Sequence, residues 1–365
     1  MKKFRLLIAC GGTGGHIFPA TALAEVLKNE YPDTVVCFAG VFKSHIRDIL
    51  RKSGYRVHQI KGRGMPHRLN ILILPFLFRL TASFITALDI LKKENSDIVI
   101  SMGSFSGAPF VFAGKLLGLS VLIHEQNLVP GRANRLTGCF ADKIAVSFDK
   151  TTSFFSKRIR RRIVNTGNPV RRQILGVKRE DSLKFFGFSD DKFTILVMGG
   201  SQGAHAVNKV FLETVKELDK DKFQIIHLTG ESDYELVING YGNLGIKNKI
   251  FAFLDEMGKA YALADLVISR AGAITITEII SLGLASILVP YPYGDAHQRA
   301  NAQVLKNLDA AILIEEKDLT KSILLATIRE LSENKTRLKA IKNNSLHLAR
   351  PDASKLLMKE VVDLA

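Results

Sequence analysis

Twice in this chain a short apolar run feeds straight into a glycine turn carrying a hydroxyl residue, and then into a helix. Phe4–Cys10 leads into Gly11-Gly12-Thr13-Gly14-Gly15, and Phe193–Met198 into Gly199-Gly200-Ser201-Gln202-Gly203. Around each start, apolar runs alternate with helical patterns. In the first half the expected strands are Phe4–Ala9, Thr34–Ala39, Arg56–Ile60, Ile98–Ser101, Val121–His124 and Lys143–Val146. In the second half they are Thr194–Met198, Gln224–Thr229, Leu266–Ser269, Ser286–Val289 and Ala311–Ile314. Short continuous apolar runs separated by helices read as strands buried on both faces of a parallel sheet. The expectation is an α/β protein of two Rossmann-like, doubly wound domains facing across a cleft.

The turn formers Asn165-Thr166-Gly167-Asn168-Pro169 mark the boundary. This divides the chain into residues 1–166 and 167–344, with a last helix of about 345–365 expected to pack back on the first domain. A hydrophobic fraction of 47% lets both domains bury a core unaided. Cys10, Cys37 and Cys139 form no CxxC pair and are odd in number, as in a reducing compartment. The opening MKKFRLLIAC imitates a lipoprotein leader, but its apolar run is too short for a signal core and reads as a first strand. The net charge of +16 is uneven. Residues 1–170 carry 25 Lys+Arg against 10 Asp+Glu, and the remainder is almost balanced. The first half therefore suits an anionic partner: anionic lipid, a phosphorylated substrate or nucleic acid. KRIRRR at Lys157–Arg162 has no interleaved aromatic residues and no nucleic-acid fold signature accompanies it, so nucleic acid is not expected.

Neither glycine turn is a dinucleotide fingerprint, because Ile17 and Gln202 stand where GxGxxG needs glycine. What remains is a turn and helix start suited to phosphate or sugar oxygens, or to close packing alone. His16 opens the first helix, where the partial positive charge disfavours imidazolium. It is either a neutral base or a residue that orients the turn. In Ser269–Glu278 (SRAGAITITE), Arg270 offers positive charge, Ala273 to Thr275 open a helix, and Glu278 can accept from two ribose hydroxyls or be an ordinary first-turn carboxylate. His124-Glu125-Gln126-Asn127 and Asp295-Ala296-His297-Gln298 lie where such folds place ligands. Leu128 rules out a zinc HExxH, and Asp219-Lys220-Asp221 reads as a solvated turn, so no metal site and no cofactor are expected. Arg68–Leu80 is apolar with basic flanks, too short to span a bilayer, and reads as a buried helix or an interfacial patch on anionic lipid.

Taken in order, GGTGGH at Gly11–His16, HEQN at His124–Asn127, GNPVR at Gly167–Arg171, GGSQGA at Gly199–Ala204 with Asn208, SRAGAITITE and DAHQ resemble the MurG family. These are UDP-N-acetylglucosamine:undecaprenyl-pyrophosphoryl-N-acetylmuramyl-pentapeptide N-acetylglucosaminyltransferases of peptidoglycan synthesis. The resemblance runs from the first strand to Asn301. It implies the GT-B glycosyltransferase architecture, inversion at the anomeric carbon, and work at the cytoplasmic face of the cell (inner) membrane as a peripheral protein. It implies a second domain that holds the donor. There Ala273, Ile274, Thr275, Ile276 and Thr277 approach the diphosphate, Glu278 the ribose, and the Leu254 backbone the uracil. Ser201 and Arg171 touch the donor's phosphates or sugar, Asn127 and Gln298 its hydroxyls, and Thr13, Gly14 and Gly15 complete the cleft. The first domain receives the lipid-linked acceptor, with His16 and then Glu125 as candidate bases. His297 stands where many relatives carry glutamine, and the segment RGMPHR after Gly62 is given no role. The rival readings are a UDP-N-acetylglucosamine 2-epimerase-like enzyme and a non-catalytic nucleotide-sugar or lipid-binding protein.

Overall fold

The computed structural model describes residues 3–11, 14–60, 73–200, 203–242, 244–293 and 297–365, with backbone alone at 45 and 73–79. Thr13, Ser201 and the first five residues of Arg68–Leu80 lie outside the described residues. By its internal contacts the chain divides into two units, Met1–Arg171 with Arg350–Ala365, and Arg172–Ala349.

The first unit is built on seven strands: β1 (Arg5–Cys10), β2 (Val35–Gly40), β3 (Arg56–Gln59), β4 (Ile98–Ser101), β5 (Ser120–Glu125), β6 (Lys143–Val146) and β7 (Ile163–Asn165). They run parallel in the order β3-β2-β1-β4-β5-β6-β7. Leu6 to Cys10 are all buried, and their side chains alternate between two cores. Leu6, Ile8 and Cys10 meet Leu23 and Leu27 of the helix Gly14–Glu30. Leu7 and Ala9 share the opposite core with Leu91 of the helix Ile73–Glu94 and Phe110 of Ala108–Leu116. The period of two explains why such a strand reads as uninterrupted apolar sequence. Among the described residues no helix is long and apolar enough to cross a membrane.

The last helix, Ala353–Leu364, belongs to this first unit. Leu357 and Val361 enter the core beside Leu23 and Leu27. Lys143 forms ion pairs with Glu360 and, at 3.7 Å, with Asp363. Ser120 Oγ donates to the Leu364 carbonyl at 2.8 Å.

The second unit repeats the plan with β8 (Phe193–Met198), β9 (Phe223–Leu228), β10 (Lys247–Phe251), β11 (Leu266–Ser269), β12 (Ala285–Leu288) and β13 (Ile312–Leu313). Their order is β10-β9-β8-β11-β12-β13, again parallel. Two edge strands, β7 and β10, are absent from the sequence reading. β7 is three residues long, and β10 (KNKIF) is polar along most of its length.

Leu357→Ala is expected to cost about 2–5 kcal/mol, the usual range for truncating a buried leucine. Its neighbour Leu356, on the exposed side of the same helix, should change by less than about 0.5 kcal/mol. Urea unfolding of the full chain checks both, and equal effects would contradict this packing.

Candidate active site

In the first sheet the strand order reverses between β1 and β4, so the connections leaving their carboxyl ends diverge and open a crevice. The helix after β1 carries His16 into this opening, and Met102 follows β4 directly. His16 Nδ1 lies 2.7 Å from the Met102 carbonyl oxygen. A carbonyl only accepts, so Nδ1 carries the proton and a neutral ring keeps its lone pair on Nε2. The ring is fitted closely. A Cβ at Gly103 would stand 3.2 Å from its Cε1, and Gly103 has φ +86°. Burial pushes the pKa of His16 below 6.5, opposed by the Met102 carbonyl, the Glu125 charge and Gln126.

The HEQN segment at the end of β5 is buried through Gln126. His124 Nε2 donates to the Gly167 carbonyl at 3.1 Å, and its Nδ1 accepts from Gln126 Nε2 at 3.0 Å. Burial lowers the His124 pKa to about 4, with the Gly167 contact opposing and His16 adding to the fall. Glu125 is fully engaged. One oxygen accepts from the backbone and side-chain amides of Asn127 (2.9 and 3.2 Å), the other from Gly131 N and Asn134 Nδ2 (2.9 and 2.7 Å). The carboxylate thus shapes the loop that presents Asn127. The Arg171 guanidinium lies 3.8 Å over the Phe18 ring. Phe18 in turn fills the place a Cβ at Gly14 would need, at 2.9 Å. The structure therefore gathers Gly14, His16 and Arg171 about one helix start, with Gly15 in its first turn.

In the second unit the reversal falls between β8 and β11. After β11, the helix Ala273–Ser281 starts at Gly272 with no side-chain cap on its first N–H groups. Unmet N–H groups at a helix start attract anions. Ile276 and Ile279 are buried and hold this β-branched helix by packing, while Ile274, Thr275 and Thr277 are half-buried. Thr277 Oγ1 donates to the Ala273 carbonyl at 2.7 Å. Glu278, 4% exposed, accepts a 2.9 Å hydrogen bond from the Tyr261 hydroxyl. Arg270 is held by partners within its own unit. It pairs with Glu316, donates to the Val289 and Pro290 carbonyls (3.2 and 3.3 Å), and lies over the Tyr291 ring. Gln298 Oε1 accepts from Ala271 N and Tyr291 N (3.3 and 3.0 Å), so what that side chain offers a ligand is its amide N–H₂. His297 begins its helix, and Leu254 is buried just beyond β10.

Beneath the second glycine turn lies a polar cluster of which the motifs announce only Asn208. Asn208 donates to the Thr229 carbonyl and to Asp233 (2.9 and 2.8 Å), and its Oδ1 lies 3.1 Å from His227 Nε2. Gly203, at φ +76°, sits where a Cβ would meet that same Thr229 carbonyl at 2.4 Å. Burial lowers the His227 pKa to about 3. Sequence reasoning missed Tyr261, Asn134 and Glu316 altogether and gave Gln126 no role of its own within HEQN, since each acts through a partner outside its own motif.

The buried histidines predict an acid-sensitive fold. In the unfolded chain each titrates near 6.5, whereas His124 and His227 when folded bind protons only near 4 and 3. Stability is therefore full above about pH 6.5 and falls with acid by roughly 1 kcal/mol per pH unit for each group. Urea midpoints at pH 7.5 and 5.0 should show the loss, and His124→Gln should shrink the slope. A flat profile would contradict neutral burial.

The chain matches the family model of the glycosyltransferase family 28 N-terminal domain over residues 6–146, and that of the C-terminal domain over residues 194–357. It is 37% identical to a Desulforamulus reducens protein, covering 97% of both chains, and 38% identical to one from Citrifermentans bemidjiense, covering 98% and 99%. Both are named UDP-N-acetylglucosamine--N-acetylmuramyl-(pentapeptide) pyrophosphoryl-undecaprenol N-acetylglucosamine transferase. Among solved structures, Acinetobacter baumannii MurG matches with a TM-score of 0.76 at 28% identity, covering 100% of both chains. A UDP-GlcNAc 2-epimerase from Neisseria meningitidis matches with a TM-score of 0.73 at 14% identity, covering 99% of this chain and 100% of that one. That second likeness is of fold alone. With relatives of this identity along nearly its whole length, and with both family 28 domains, the chain belongs to the MurG family of glycosyltransferases.

Proposed function

We propose that this protein transfers N-acetylglucosamine from UDP-N-acetylglucosamine to the C4 hydroxyl of the undecaprenyl-pyrophosphate-linked N-acetylmuramyl-pentapeptide lipid I. The product is lipid II, for peptidoglycan synthesis. The near-full-length likeness to transferases of that name carries the reading. The geometry adds a means of holding each ligand. In the second unit the uncapped helix start at Ala273 takes the donor's diphosphate, and Glu278, oriented by Tyr261, takes the ribose hydroxyls. The Leu254 backbone meets uracil, and the amide N–H₂ of Gln298 meets the sugar, with Asn127 and Arg171 as further donor contacts. Arg270, paired with Glu316, braces the strand ends around that helix start rather than neutralising phosphate itself.

The reaction is a direct displacement. The acceptor oxygen forms its bond to the anomeric carbon as the bond to UDP breaks, and UDP leaves with the electron pair. Configuration inverts. The hydroxyl proton passes to His16 Nε2, the nitrogen left with a lone pair by the contact to Met102. Glu125, with both oxygens already accepting, serves the loop. Stabilising charge on the departing diphosphate falls to the helix N–H groups.

The acceptor's lipid implies work at the cytoplasmic face of the cell (inner) membrane, and one surface of the first unit suits it. Leu116, Leu136, Phe140 and Phe154 of that unit are exposed, the first to 68%, and Phe112, on the same helix as Leu116, packs its ring against Phe140. Arg162 donates to the Cys139 and Ala141 carbonyls beside Phe140, and Arg160 to Ser153 O beside Phe154, which ties the KRIRRR segment to this apolar group. Apolar side chains among exposed Lys157, Arg158, Arg160 and Arg161 favour anionic lipid.

Labelled UDP-N-acetylglucosamine, with and without a lipid-linked muramyl acceptor, tests the activity. Transfer is expected, whereas isomerisation alone would favour an epimerase and silence a binding protein. Glu278→Ala should weaken UDP binding at least about tenfold, and unchanged binding would remove the donor assignment. His16→Ala should lower kcat by roughly 10²–10⁴ with little change in donor KM. Replacing Leu136 and Phe140 by Ser should reduce co-sedimentation with phosphatidylglycerol vesicles, and unaltered pelleting would discard that surface.

A further inference from the structure

One buried side chain beside His16 takes no direct part in the proposed proton transfer. Gln126 is 1% exposed, and its amide nitrogen lies 2.9 Å from the Met102 carbonyl and 3.0 Å from His124 Nδ1. An amide nitrogen carries two hydrogens, so one can go to each. The opposite amide orientation would set two carbonyl oxygens against each other at 2.9 Å. The orientation is thus fixed by chemistry. It follows that His124 accepts at Nδ1 and carries its proton on Nε2, where the Gly167 carbonyl receives it.

The Met102 carbonyl then has two donors, Gln126 Nε2–H and His16 Nδ1–H. A carbonyl has two lone pairs, so both are in use and the oxygen is fixed in direction. Gln126 spans the space between two histidines, holding one by its ring nitrogen and the other through a shared acceptor. The Gln126 carbonyl oxygen is itself buried with no hydrogen-bond partner among the described residues. Such an unmet acceptor is costly unless something compensates it. A positive charge arising on the neighbouring imidazole as it takes a proton supplies that compensation.

We infer that Gln126 is a positioning residue for the transfer: by bridging the Met102 carbonyl and His124 it locks His16 in the Nδ1–H tautomer, with Nε2 presented as the proton acceptor. The inference rests on His16 being the base. Its action is indirect, since Gln126 need touch neither substrate.

The test joins imidazole nitrogen NMR on histidine-labelled full-length protein with steady-state kinetics. At neutral pH wild-type His16 should show a protonated Nδ1 and an unprotonated Nε2, while a protonated Nε2 would overturn the proposal without any variant. Gln126→Met, which keeps the volume and removes the amide, should leave His16 in mixed tautomers and lower kcat at least about tenfold with donor KM unchanged. A single Nδ1–H tautomer persisting in Gln126→Met would overturn the proposal whatever the rate. His16→Ala separates the two readings. Unaltered kcat there would overturn the base assignment and with it any part for Gln126 in catalysis, while the tautomer comparison decides the positioning contact by itself.

Discussion

The reversal of strand order in each sheet is the constraint on which the rest depends. All strands are parallel, so every carboxyl end opens on the same edge, and only where the order reverses do successive connections part. In the first unit that point lies between β1 and β4, and His16 meets Met102 there. In the second it lies between β8 and β11, where the glycine turn after β8 and the helix start at Ala273 emerge. Neither polar set requires an inserted domain or an unusual loop. The close approaches at Gly103 and Gly203 follow from the same crowding of connections, and each glycine stands where a Cβ would press on a neighbour.

The buried polar groups in the two units answer a common problem. Ligand-holding residues must be rigid, yet the carboxyl edge of a sheet is rich in backbone carbonyls needing donors. Gln126 and Asn134 supply those donors in the first unit, as Asn208 and Arg270 do in the second. The histidines among them remain neutral because burial penalises charge more than their acceptors favour it. Much of this rigidity comes from neutral amides and imidazoles, and the buried charges beside them are met as well, Glu125 by four N–H donors and Arg270 by Glu316.

Much of this was legible in the sequence. The two glycine turns, the continuous apolar runs and the ordered motifs gave the α/β class, two parallel sheets and the family. β7 and β10 escaped because edge strands need cover on fewer sides, so Lys247 and Lys249 do not break their pairing. What the sequence could not reveal was the partner of each motif residue. Nothing near Glu278 in the chain points to Tyr261, and nothing near Arg270 points to Glu316, because those contacts exist only once separate elements have packed. His16 read correctly as helix-starting, but its tautomer depends on a carbonyl 86 residues away.

Charge is divided between the units in a way that fits their proposed tasks. The first half holds nearly all of the excess of +16, whereas the second is almost balanced and its most deeply placed guanidinium is already matched by Glu316. A nucleotide-sugar diphosphate would therefore meet oriented N–H dipoles in the second unit rather than surplus positive charge. Dipoles fixed in a helix act over a short range and favour one geometry, whereas a mobile lysine follows any anion. A soluble donor that must be set in line for displacement benefits from the first kind of recognition. An acceptor drawn from an anionic lipid surface benefits from the second, because a spread of exposed Lys and Arg attracts it before any specific contact forms. The same arithmetic would suit the proposed lipid-facing surface, where Arg162 is bonded on either side of the exposed Phe140: weak burial of a few side chains becomes useful once charge has brought a surface to the bilayer.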